Sequence, residues 1–271
     1  MFPWFEQWIM HRATLNELSV ESGYSKRKLQ SLFDQYLLSP PTFVIHRRIS
    51  LYLIVDGTYF NEGLCLILYY DSELKYALLY RFSTNEFYTE IKENLENLKQ
   101  LGIDVSAVTS DGKRAIINAV KKVYPNAVVQ RCMVHVQRDV LKWLTRKPKS
   151  EAAKELRYLA GLLHHIRGMV EQHMWIIAFE KWYSKHRIII EQKVYHTPTG
   201  RWWYKHRALR RAAVMIKRAN ADMFHFIGNG KIPKTTNALD SYFGHLKGTL
   251  NIHRGLSKEH RKGFILRYLH L

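Results

Sequence analysis

Two apolar, β-branched runs, far apart in the chain, each lead into Asp-Gly: "LIVDG" at 53–57 and "VSAVTSDG" at 105–112. A carboxylate at the end of a buried strand is costly unless it is paired or binds a cation. If the two strands are neighbours, Asp56 and Asp111 come together, and like charges that close raise each other's pKa. A divalent cation removes that conflict, and hard oxygen ligands suit Mg2+ or Mn2+. A third carboxylate, Asp240 in "TTNALDSYF", is available to complete the set. Taken singly, each Asp-Gly also reads as a turn. The strand ends, their order and the third acid argue jointly for a site.

The chain around these acids has a change of texture. Within 13–38, Thr14 is a candidate N-cap with Glu17 as its capping-box partner, and Leu15 and Leu18 mark the apolar face of a short helix. Gly23 allows a tight turn, and Ser25 caps a second helix with Leu29, Leu32 and Phe33 at helical spacing. Lys26, Arg27 and Lys28 fill its first turn. The pattern predicts a helix-turn-helix whose second helix reads a DNA groove; an ordinary helical hairpin used for packing is the alternative. "SPPT" at 39–42 then breaks the helix. Strands follow at 48–60, in "GLCLILYYD" and in "KYALLYRF", the last two joined as a hairpin. Next come an amphipathic helix over "NEFYTEIKENLENLKQLG", the strand that leads to Asp111, a helix stopped near Pro125, the short strand "NAVVQRC" and a further helix. The order is βββ-α-β-α-β-α. From about 148 to 230 the spacing predicts helices only, and a last helix begins near Ala238.

Charge narrows the partners. Lys plus Arg is 42 against 23 Asp plus Glu, a formal net charge of +19. A basic excess of this size, spread along the chain, favours a polyanion bound on a broad folded surface, most often nucleic acid. No run of about 18 apolar residues predicts a membrane span. The first residues show neither a basic n-region nor a small-residue cleavage site, so no signal peptide is expected. Two cysteines, Cys65 and Cys132, are too few for a disulfide framework and suit a reducing cytoplasm.

The stretch "SDGKRAIINAVKKVYPNAVVQRCMVHVQRD" (110–139) closely resembles the second-acid block of the Mutator-like family of DDE transposases. "LIVDGTYF" (53–60) is similar to that family's first-acid strand, and "TTNALDSYFGHLKG" (235–248) to its third-acid helix, which follows Thr-x-Asn and so singles out Asn237. The resemblance covers roughly residues 48–250. It implies an RNase H-like α/β fold: a mixed sheet with an all-helical insertion, preceded by a small helix-turn-helix region. The expected domains are 1–45 (helix-turn-helix), 46–147 with 231–271 (catalytic core) and 148–230 (helical insertion).

The resemblance also implies an activity: cutting transposon ends and joining a freed 3′ hydroxyl to target DNA. Asp56, Asp111 and Asp240 would hold two Mg2+ or Mn2+ ions. The family's third acid is normally glutamate, so Asp240 is a departure. Cys132 and His135 in "QRCMVH" then belong to the surroundings of the core. Too few partners are in view for a zinc site or a redox pair, and a buried Cys with a capping His is the plain alternative. Lys26, Arg27, Lys28, Arg138 and Lys247 are candidate DNA contacts. Trp202 and Trp203 in "RWWYKHR" are candidates for stacking on an unpaired base, with core packing as the alternative. Expected partners are double-stranded DNA, as terminal inverted repeats and target, and further copies of the chain as a homodimer or higher oligomer. No membrane partner is expected, and the expected location is the bacterial cytoplasm, at the nucleoid. Competing readings are a catalytically decayed transposase that only binds DNA and another RNase H-like nuclease.

Overall fold

The computed structural model describes residues 2–39, 41 and 51–271. The start of the strand read over 48–60, part of the "SPPT" break and the expected boundary at 45–46 lie outside the described residues. The chain divides into two compact units, Met1–His46 with Ala238–Leu271, and Arg47–Asn237.

Three helices open the first unit: α1 (Phe2–Met10), α2 (Leu15–Ser22) and α3 (Lys26–Leu38). Both expected caps form. Thr14 and Glu17 close a reciprocal capping box on α2, with Thr14 N donating to Glu17 Oε2 at 2.7 Å. Ser25 Oγ accepts from Lys28 N at 3.3 Å at the start of α3. Gly23 ends α2 at φ 70°, a left-handed conformation that costs glycine little. Leu29, Phe33 and Leu37 bury the inner stripe of α3, and Lys26, Arg27 and Lys28 are exposed.

The second unit is built on β1 (Leu51–Tyr59), β2 (Cys65–Asp71), β3 (Tyr76–Ser83), α4 (Tyr88–Gln100), β4 (Val105–Ser110), α5 (Arg114–Val123) and β5 (Val128–Arg131). The sheet order is β3-β2-β1-β4-β5. β1 runs antiparallel to β2, and β2 to β3; β1, β4 and β5 are mutually parallel. This mixed sheet is RNase H-like, as expected. β1 is buried without alternation from Leu51 to Asp56, because both of its faces are covered. The edge strand β5 is closed by the segment around 222–234: Arg131 N donates to Asp222 O at 2.6 Å, and Gln130 Nε2 to Met223 O at 2.8 Å.

Helices α6 (Met133–Leu144), α7 (Glu151–Leu162), α8 (Met169–Glu191) and α9 (Arg207–Ala219) share one core with Leu156, Trp175, Phe179, Trp182 and Ile216. Trp175 and Trp182 satisfy their indole N–H groups on the carbonyls of Leu159 and Ala152, at 2.8 and 3.0 Å. The segment read as all helical also contains a two-stranded hairpin, β6 (Lys193–His196) with β7 (Arg201–Tyr204). Its strands are too short to show a period, and "TPTG" between them makes the turn, with Gly200 at φ 63°. A short helix, α10 (His225–Gly228), follows α9.

The chain ends with α11 (Asn237–Leu250) and α12 (Lys258–His270). Within the first unit α12 packs on α1 and α3. Trp8 lies edge-on to Phe264 at 5.3 Å, and Arg267 Nε donates to the carbonyl of Tyr36 at 3.2 Å. A Cβ at Gly263 would stand 2.1 Å from the carbonyl oxygen of Leu37, so only glycine admits α3 this closely. Among the described residues, no helix is long and apolar enough to cross a membrane.

Candidate metal centre and nucleic-acid surface

Parallel pairing of β1 with β4 brings the two aspartates together. The last paired residues are Ile54 and Thr109; Asp56 and Asp111 each lie two residues further on. The two strands run in the same direction, so the residues beyond their last pair lie side by side and the carboxylates converge. Asp56 does not end its strand. β1 continues to Tyr59, and Gly57 pairs with Ile67 of β2, so the first Asp-Gly is not a turn. Gly57 serves a different end: a Cβ there would meet Glu86 Cδ at 2.6 Å. At the second Asp-Gly the chain does turn. Gly112 has φ 89°, Asp111 Oδ1 accepts from Lys113 N at 2.9 Å, and α5 begins at Arg114.

Glu86 is a site residue that the sequence reading missed. It lay inside a helix predicted to start at Asn85, but α4 starts at Tyr88, which leaves Glu86 free to point inward. Asp56, Glu86 and Asp111 each offer an oxygen within 4.8 Å of the others. Glu86 Oε2 accepts from Tyr59 Oη at 3.0 Å and pairs with Lys113, while Glu86 Oε1 is buried without a hydrogen-bond partner. Lys113 Nζ also stands 3.3 Å from Asp111 Oδ2. Asp56 is 5% exposed. Burial, and then the charge of Asp111, push its carboxyl from 3.8 up to about 7, against the opposing pull of His135 and the Gly57 N–H. Clustered hard oxygens, an orphaned buried carboxylate oxygen and an aspartate that resists ionisation fit a divalent cation such as Mg2+ or Mn2+.

Cys132 and His135 adjoin this cluster. Cys132 is fully buried at the N-cap of α6, and its N–H donates to the carbonyl of Ser110 at 2.7 Å, one residue before Asp111. Its sulfur accepts from Thr236 N at 3.2 Å and from Thr236 Oγ1 at 3.5 Å. Thr236 Oγ1 also lies 3.2 Å from His135 Nδ1. Burial works against the thiolate, but the hydrogen bonds from His135 and Thr236 outweigh it and hold Cys132 below the usual thiol range. Burial likewise works against His135⁺, yet Cys132 and the Asp56 carboxylate hold His135 above its usual range. The pair thus links the second acid's strand to the Thr-x-Asn segment. The thiol Cys65 lies on β2, away from this link.

The other predicted residues are placed as follows. Asp240 is half-buried on the first turn of α11, in the unit that contains Ala238–Leu271, and Asn237 is exposed at the start of that helix. Lys247 is half-buried in the last turn of α11, and Arg138 is exposed on α6. Trp202 and Trp203 are 47% and 44% exposed on the hairpin, so they are not core. Lys193 Nζ sits 3.9 Å over the Trp202 ring, and Arg210 sits 3.7 Å over that of Tyr204.

Fold and site together define an RNase H-like protein with a carboxylate cluster just beyond the paired stretch of β1 and β4. Residues 75–197 match the family described as Transposase, Mutator family. The match takes in Glu86, Asp111, Cys132 and His135 and leaves out Asp56 and Asp240. Over 109 residues the chain is 29% identical to the transposase for insertion sequence element ISRM5 of Rhizobium meliloti (strain 1021), covering 40% of this chain and 27% of that protein. Over 183 residues it is 27% identical to the transposase for insertion sequence element IS905 of Lactococcus lactis subsp. lactis (strain IL1403), covering 66% of this chain and 41% of that protein. The alignments thus span less than half the length of each relative. The chain is similar to Mutator-family insertion-sequence transposases.

Proposed function

We propose that the chain is a transposase of the Mutator type that cuts transposon ends and joins their 3′ hydroxyls to target DNA. The observation that carries this reading is the convergence of Asp56 and Asp111, each two residues beyond the last β1–β4 pair, with Asp111 inside the segment that matches the family. When bound, two divalent cations supply activation of the attacking hydroxyl and stabilisation of the leaving oxygen. The carboxylates of Asp56 and Asp111 position them, and Asp240 enters as the third acid by its place after Thr-x-Asn in the sequence. Cys132, Thr236 and His135 steady the loop that carries Asp111. Arg138, Lys247 and the exposed Lys26, Arg27 and Lys28 meet phosphates, and α3 reads the terminal repeats. The chain acts on double-stranded DNA as a dimer or higher oligomer, at the nucleoid of the bacterial cytoplasm.

A strand-transfer assay on end DNA with Mg2+ or Mn2+ tests this. Asp56→Asn and Asp111→Asn should abolish cleavage and leave DNA binding intact or stronger, since less negative charge faces the phosphates. Asp240→Glu, which restores the residue usual in the family, should keep activity, and Asp240→Ala should lose orders of magnitude. Full activity in either Asn variant would sink the assignment. The departure at Asp240 favours a second reading, a decayed transposase that only binds DNA; inactivity of the wild type in both metals would support it.

A further inference from the structure

The acidic cluster already contains a cation of its own. Lys113 Nζ pairs with Glu86 and stands 3.3 Å from Asp111 Oδ2, so it occupies the side of the cluster where a metal ion would sit between those two carboxylates. One ammonium cannot satisfy three carboxylates whose oxygens lie within 4.8 Å of one another. Glu86 Oε1 is buried without a partner, although the side chain as a whole is only 1% exposed. That is an expensive place for a carboxylate oxygen unless something else binds there.

Glu86 is held in position independently of the lysine. Its N–H donates to Asn85 Oδ1 at 2.8 Å, Tyr59 Oη donates to its Oε2 at 3.0 Å, and the missing Cβ of Gly57 leaves room for its side chain to pass. The two partners of the ion pair therefore differ in freedom. The Lys113 side chain is 42% exposed on a flexible stem, so it can swing into water once another cation takes its place beside Glu86. Glu86 cannot leave. A divalent cation carries twice the charge of the ammonium and takes several oxygens at once, so it competes for the same carboxylates.

We propose that Glu86 is a further carboxylate ligand of the cation held by Asp56 and Asp111, and that Lys113 is its displaceable counter-ion, which pairs with Glu86 until the divalent cation replaces it. The proposal rests on the reading of this cluster as a divalent-metal site. It makes Lys113 a positioning residue of the metal-free state and a competitor of metal loading.

The test is a Mn2+ titration of the DNA-free chain, residues 1–271, with free Mn2+ followed by its electron paramagnetic resonance signal. The variants are Asp56→Asn, Glu86→Gln and Lys113→Met. Asp56→Asn should lose binding, Glu86→Gln should weaken it by at least about tenfold, and Lys113→Met should tighten it several-fold. Wild-type affinity in Glu86→Gln overturns Glu86 as a ligand while leaving the parent reading intact. Unchanged or weaker affinity in Lys113→Met overturns the counter-ion role. Wild-type affinity in Asp56→Asn would put the ion elsewhere and overturn the parent reading together with this one. Near-ultraviolet circular dichroism checks that Glu86→Gln is folded. Should it not be, Lys113→Met, at a half-exposed position, decides: tighter binding supports the proposal and unchanged binding overturns it.

Discussion

Asp56 shows how one residue records the conflict that the fold creates. Its carboxyl, pushed by burial and by Asp111 from 3.8 to about 7, binds its proton more tightly in the folded chain than in the unfolded one. The sign follows from linkage: the contribution is fully present below the unfolded value and is lost as pH rises through the folded one. Without metal, the wild type should therefore lose stability relative to Asp56→Asn between about pH 4 and about pH 7, by up to about 4 kcal/mol. Melting temperatures of both proteins in chelator across that range check it, and a difference that stays flat would mean that Asp56 ionises freely. Mn2+ added at alkaline pH should raise the wild type and leave Asp56→Asn almost unmoved.

Among the elements, the β6–β7 hairpin stands out because its aromatic residues face solvent. Tyr195 pairs across the strands with Trp202, and Val194 with Trp203; Tyr195 is 64% exposed. Trp202 meets Tyr204 edge-to-face at 5.2 Å, and Lys193 and Arg210 sit over the rings. Rings kept half out of water between cations suit stacking on unpaired bases beside phosphates. Trp202→Ala and Trp203→Ala should each weaken binding to end DNA with unpaired bases by about 1–3 kcal/mol. Because the rings are half exposed, the melting temperature should barely move. Fluorescence anisotropy alongside thermal melts reads both quantities. Unchanged binding with a melting point lowered by several degrees would make the tryptophans packing residues instead.

At the scale of the whole molecule, the amino-terminal helices and the carboxy-terminal helices belong to one compact unit. Phe5, Trp8, Phe33 and Phe264 form its aromatic core, with Phe5–Phe33 and Trp8–Phe264 centroids each 5.3 Å apart. The three amino-terminal helices are therefore not a detachable arm. Deleting residues 1–40 should remove sequence-specific end binding and also strip α12 of its packing, exposing Phe264. The expected result is a chain that binds 8-anilinonaphthalene-1-sulfonate and elutes as larger species in size-exclusion chromatography. A monomeric truncated chain that does not bind the dye would show that α12 has other cover. For the intact chain, with its net charge of +19, DNA affinity should fall steeply and linearly in log salt.

What the sequence determined by itself was local or periodic. The caps at Thr14 and Ser25, the order of strands and helices from β1 to α6, the two Asp-Gly pairs on apolar runs and the Cys-x-x-His spacing are all set by residues a few positions apart. The tertiary structure decided what depends on distant partners. Glu86 enters the acidic cluster only because α4 begins three residues later than expected and Gly57, mid-strand, leaves it room. Cys132 finds its hydrogen-bond donor 104 residues away at Thr236. The tryptophans of "RWWYKHR" lie in the open because two four-residue strands pair around a tight turn. Periodicity reports which face of an element is buried; it does not report which residue from elsewhere in the chain will meet it there.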